Sequence, residues 1–277
     1  MSTPTSSVRT SVVSLEAGPT LFYREHGDED GEPIVLLHGY TDSSFSFSLL
    51  QPLLDPNRYR TLALDQRGHG DSERPVAGYS MDELAADVER FLDARGIARA
   101  TVVGHSMGSL VARRFAATRP ERIDRLVLIG SSFTFLNELT VELGAVVSEL
   151  TDPVPESFAR QFQESTGFRP LPDGFLDRVV AESLKVPARV WREALQGVFA
   201  VHDAEDLATI TAPTLVMWGD RDPYFGRDQQ DRLVGAIPGA RFLVYADTGH
   251  NPHWERPESV AYDLAAFLRE PAVVPLG

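Results

Sequence analysis

The chain contains no cysteine. Disulfides, thiolate nucleophiles and cysteine-held metals are therefore excluded. It also lacks any apolar run near the ~18 residues that a membrane-spanning helix needs. Residues 1–14 are polar, rich in Ser and Thr, and hold no apolar core of leader length. A cytoplasmic protein with no membrane partner is the expectation. Positive charge is scarce: 26 Lys and Arg stand against 40 Asp and Glu, a formal net charge of −14. Such a field repels phosphate backbones, so no nucleic-acid partner is expected. No phosphate-cradling loop ending in Gly-Lys-Ser/Thr occurs, and no H-E-x-x-H. The run Gly68-His69-Gly70 lacks the third glycine that would open a dinucleotide-binding helix. Internal repeats are absent as well. What remains is a chain expected to use no cofactor and no metal, and to act on a small molecule.

At 277 residues, with 43% hydrophobic and 24% charged residues, it can bury a large single core. Short apolar runs alternate with helical patterns. Residues 8–14 and 21–26 read as two edge strands joined by the Gly18-Pro19 turn, and 28–33 as a loop. Residues 34–37 have the continuous apolar pattern of a strand buried on both faces, and 59–64, 100–103, 125–129, 214–218 and 241–245 read as further strands. Residues 45–54, 81–94, 107–118 and 257–269 read as helices, with Ser80 as an N-cap and Pro257 in a first turn. The stretch between the last two strands is a poorly periodic connector. Alternation of this kind predicts a doubly wound, mostly parallel eight-stranded α/β sheet. It breaks between residues 131 and 211, where only helical pieces occur, at 138–150, 155–163, 173–184 and 188–199. The tail, 271–277, reads as disordered or as an expression remnant.

The chemistry is carried by Gly104-His105-Ser106-Met107-Gly108. This is G-x-S-x-G, placed where a β-branched run turns into a helix. Such an elbow strains the serine and aims its hydroxyl and the next N–H at one point, as acyl transfer requires. An acid-bearing loop, Gly219-Asp220-Arg221-Asp222, follows one later strand, and Gly249-His250 follows the next. Serine, acid, histidine is the chain order that this elbow predicts.

With His38-Gly39 and the block from Asp65 to Ser72, these motifs make the chain resemble the α/β-hydrolase superfamily, in its serine-hydrolase branch, from about Val12 to Leu268. The resemblance implies a catalytic set of Ser106 as nucleophile, His250 as base and Asp222 as orienting acid. It selects His250 over His253 by its place directly after glycine, and Asp222 over Asp220 by its place at the end of Gly219-x-x-Asp222. It implies an oxyanion hole from the backbone N–H groups of Tyr40 and Met107. It makes residues 131–211 a helical cap on a core formed by 1–130 and 212–277. Cap aromatics then line an apolar pocket, for which Tyr40, Phe133, Phe135 and Trp191 are the substrate-binding candidates. A serine at the elbow separates the chain from dehalogenases and epoxide hydrolases, which carry a carboxylate there. Carboxylesterases, lactonases, carbon–carbon bond hydrolases and perhydrolases remain compatible, as does a hydrolase-like ligand receptor. Tyr40 counts against carbon–carbon bond hydrolases, which have a small residue after His-Gly. The expected function is cleavage of a small or medium apolar ester or lactone through an acyl-enzyme.

Overall fold

The computed structural model describes residues 7–270. The tail at 271–277 lies outside them. One sheet runs through the whole molecule, with eight strands in the order β1-β2-β4-β3-β5-β6-β7-β8. The strands are β1 (Arg9–Ser14), β2 (Thr20–His26), β3 (Glu32–Leu37), β4 (Tyr59–Leu64), β5 (Ala100–His105), β6 (Ile123–Ile129), β7 (Thr214–Gly219) and β8 (Arg241–Tyr245). From β3 onward every pairing is parallel, while β2 is antiparallel to both of its neighbours. Only β1 is therefore an edge strand at this end. β2, expected at the edge, is covered by β4, and its burial alternates accordingly.

The apolar strands alternate between two cores. Val35 and Leu37 of β3 face one, with α1 (Met81–Ala94) and α2 (Met107–Thr118). Ile34 and Leu36 face the other, with residues 45–54 and the last helix. Residues 45–54 are not an α-helix. They form two 3₁₀ turns, Ser44–Phe47 and Gln51–Leu53. Pro52 explains the break, because it offers no N–H to the ladder that one α-helix across this stretch would need.

Between β6 and β7 lie α3 (Glu138–Ser148), α4 (Glu156–Ser165), α5 (Phe175–Leu184), α6 (Ala188–Phe199) and the short α7 (Ala204–Leu207), with no strand among them. A buried bidentate pair ties this insertion to the elbow helix: Arg113 of α2 donates to both carboxylate oxygens of Asp203, at 2.6 and 2.8 Å. The connector between β7 and β8 holds a helix that periodicity did not reveal, α8 (Arg227–Ala236). It buries only Gln230 and Leu233, so its apolar signal is too thin to read. A one-turn helix, α9 (Pro252–Glu255), and α10 (Pro257–Arg269) complete the chain. Among the described residues, no helix is long and apolar enough to cross a membrane.

Candidate active site

β5 delivers Ser106 into the first turn of α2 with φ +50° and ψ −118°, a conformation that costs free energy for any residue with a Cβ. The flanking glycines explain how the chain gets through. A Cβ on Gly104 would lie 2.2 Å from the Gly108 carbonyl oxygen, and one on Gly108 would lie 2.2 Å from that of Leu37. Strand and helix thus cross at backbone contact, and the helix rests directly on β3.

Ser106 Oγ lies 2.9 Å from His250 Nε2, and His250 Nδ1 lies 2.8 Å from Asp222 Oδ2. A carboxylate only accepts, so the imidazole proton sits on Nδ1 and Nε2 is bare to receive the serine hydrogen. Asp222 Oδ1 is occupied separately, accepting from the N–H groups of Tyr224 and Phe225 at 2.9 and 3.2 Å. The alternative acid, Asp220, is partly exposed and pairs with Arg221 at 3.8 Å. The histidine loop is fastened from the insertion. His250 N–H donates to Thr166 O at 2.9 Å, and Asn251 Nδ2 donates to Thr166 Oγ1 at 2.7 Å. Glu255 accepts from the N–H groups of Gly249 and Arg169, joining both segments.

Beside the serine, the loop after β3 turns through Thr41 at φ +62°, an unusual conformation for a β-branched residue. His38 Nδ1–H donates to Gly39 O at 2.8 Å, which fixes the peptide that carries the Tyr40 N–H. Among the described residues, neither the Tyr40 nor the Met107 N–H has a hydrogen-bond acceptor. The phenol of Tyr40 points away from acid–base work. It donates to Trp191 O at 2.6 Å, and burial holds its pKa well above the usual value.

A cavity of about 60 Å³ opens on Ser106, Met107 and His250. Its walls are mainly apolar, with Phe135, Phe162, Leu195 and Phe225 among them. Of the four expected substrate-binding residues, Tyr40 and Phe135 line it, and Phe133 and Trp191 do not. Trp191 is fully buried behind Tyr40, stacked edge-on against it at 5.4 Å. Phe133 packs under the Arg232 guanidinium at 4.1 Å. Both are insertion aromatics that hold other parts in place, a distinction that residue type does not convey. Sequence reading missed Asp42, Gln163 and Asn251, polar residues on the cavity wall. Only Gln163 left a trace, four residues after Ala159 on the buried face of α4.

Four further histidines are buried near the site, and of these only His105 borders the cavity. His38, His69, His105 and His253 are buried, and burial is the main cause that lowers each pKa, to about 4 for His69 and about 3 for His253. His253 meets Ser46 Oγ at 3.0 Å, not Ser106. These groups give a stability prediction. The unfolded chain binds their protons first, so the stability they contribute above pH ~6.5 is lost as pH falls toward the folded values. Asp42, raised to about 7 by burial, and Asp65, also raised, act oppositely, because the folded state binds their protons first. Four histidines against two carboxyls leave a net loss of stability as pH falls below about 6.5. Urea unfolding at pH 7, 6 and 5 is expected to show it, and a constant midpoint would contradict it.

The alpha/beta hydrolase fold family matches residues 32–257, and the chain belongs to that family. It is 31% identical to a 2-hydroxy-6-oxononadienedioate/2-hydroxy-6-oxononatrienedioate hydrolase of Paraburkholderia phymatum, over 92% of this chain and 93% of that protein. It is 27% identical to a non-heme chloroperoxidase of Streptomyces lividans, over 93% of this chain and 99% of that one. Among solved structures it is similar to an esterase from Exiguobacterium antarcticum, with a TM-score of 0.86 at 21% identity, covering 94% of this chain and 99% of that chain. Relatives with such different activities share a fold and leave the substrate to the site.

Proposed function

We propose that the protein is a serine hydrolase acting on a small carboxylic ester or lactone, with residues 131–211 as its cap. The observation that carries this reading is the relay from Asp222 through His250 to Ser106, opening on an apolar cavity beside two uncommitted N–H groups. Each step then has a group to perform it. His250 Nε2 takes the Ser106 proton as Oγ attacks the carbonyl carbon. The Tyr40 and Met107 N–H groups receive the developing oxyanion. The imidazolium, steadied by Asp222, returns the proton to the leaving alcohol. Water deprotonated by His250 then attacks the acyl-enzyme and frees the acid.

The cavity limits the acyl group. About 60 Å³ is under half of the ~150 Å³ that admits benzene. Among the described residues no lysine or arginine lines it, so a doubly charged substrate such as the dioate in the relative's name finds no countercharge. Initial rates on p-nitrophenyl acetate, butyrate and octanoate test this. We expect turnover of the first two, with kcat/KM falling at least about tenfold at octanoate, since a long chain must displace packed side chains. A flat series would refute the pocket size, and no turnover at all would remove the ester reading.

A further inference from the structure

One corner of the cavity is polar and built from buried parts. Asp42 lies in the loop after β3, two residues beyond Tyr40, and only 3% of it is exposed. Its Oδ1 accepts from Gln163 Nε2 at 3.1 Å, and its Oδ2 from Ser46 Oγ at 3.4 Å. Gln163 Nε2 also donates to Ser183 Oγ at 2.9 Å. Asn251, fully buried, lines the same cavity. Its Nδ2 donates to Thr166 Oγ1, whose own hydrogen goes to Gln163 O at 2.7 Å. That chain of donors fixes the amide orientation and leaves Asn251 Oδ1 buried with no partner.

The hydrogens of this corner are thus directed at protein acceptors, while acceptor capacity is left over. Asp42 keeps free lone pairs, and Asn251 Oδ1 keeps both of its own. A buried acceptor without a donor is costly, and an incoming donor relieves that cost. The complement of such a corner is a hydrogen-bond donor on the substrate. Resting on the hydrolase reading above, we propose that Asp42 and Asn251 select acyl groups that carry a hydroxyl or a primary ammonium near the scissile carbonyl. Burial raises the Asp42 carboxyl to about 7, against the lowering effects of Gln163, Ser46 and His250, while Glu182 raises it further. At neutral pH it is therefore poised, and a bound donor draws it to the carboxylate.

The test compares ethyl butyrate with ethyl 3-hydroxybutyrate and ethyl 3-aminobutyrate, both enantiomers of each, by titrating released acid. The better donor-bearing ester is expected to exceed butyrate in kcat/KM by about 10- to 100-fold, the range for a hydrogen bond to a charged group. A winning hydroxy ester identifies a neutral donor, and a winning amino ester an ammonium–carboxylate pair. In Asp42→Asn and Asn251→Leu the ratio is expected to fall to within about threefold, mainly through KM of the donor-bearing ester. A purely structural role would slow all the esters together and preserve the ratio. Butyrate turned over as well as the donor esters by the unaltered protein overturns the assignment, whether or not the variants fold. A retained ratio in both folded variants overturns it too. Should no ester be turned over and a fluorophosphonate fail to label Ser106, the hydrolase reading falls, and this assignment with it.

Discussion

Ser106→Ala is expected to lower turnover of p-nitrophenyl butyrate by about 10⁴- to 10⁶-fold, with the fold intact. The size follows from what is removed. No second nucleophile touches His250, whose Nε2 faces Ser106 Oγ and nothing else among the described contacts. What remains is the pair of backbone donors and the cavity, which together leave only residual catalysis over water. The fold survives because Oγ contributes little to it. The hydroxyl does not cap α2, and alanine keeps the same Cβ, so the strain at φ +50° is unchanged. Only the bond to His250 goes, and a change in stability within about 1 kcal/mol is expected. Rates and thermal melting on the same preparation check both halves. A variant retaining more than a tenth of the activity would show that Ser106 is not the nucleophile.

Much of this centre was legible because its parts are local in sequence. Gly104 and Gly108 stand where an added Cβ would lie 2.2 Å from a neighbouring carbonyl oxygen, a contact that no larger residue can make. A strand, a glycine-framed serine and a helix therefore form a short readable unit. The chain order of the acid and histidine is similarly a consequence of which strands end at the site. The cavity wall is different. Its polar corner joins Asp42 after β3, Gln163 on α4 and Asn251 after β8, more than a hundred residues apart at the extremes. Nothing in any one segment announces that meeting. Aromatic content misled for the same reason: Trp191 and Phe133 had the right residue type, but packing turned one behind Tyr40 and the other toward Arg232. Helix α8 escaped because a helix that buries two side chains carries almost no period.

Asp222→Asn is expected to cost about 10⁴-fold in kcat, and its reason lies in hydrogen positions rather than in charge alone. Two backbone N–H groups, of Tyr224 and Phe225, point at Oδ1 and require an oxygen there. An asparagine must satisfy them with its carbonyl, which places its NH₂ where Oδ2 now faces His250 Nδ1. That NH₂ donates, so Nδ1 must lose its proton and Nε2 must carry it. The ring would then present N–H to Ser106 Oγ instead of a bare nitrogen, and could no longer take the serine's proton. Geometry and volume change little, so the melting temperature should stay within a few degrees of the parent. Asp220→Asn is the matched control. Asp220 is partly exposed beside Arg221, and its replacement should alter kcat by less than about threefold, as surface pairs contribute little. If Asp220→Asn proved the more damaging of the two, the orienting acid would have to be reassigned. With the order as expected, the tautomer of His250 is what Asp222 sets, and the orientation of that one proton decides whether Ser106 can react.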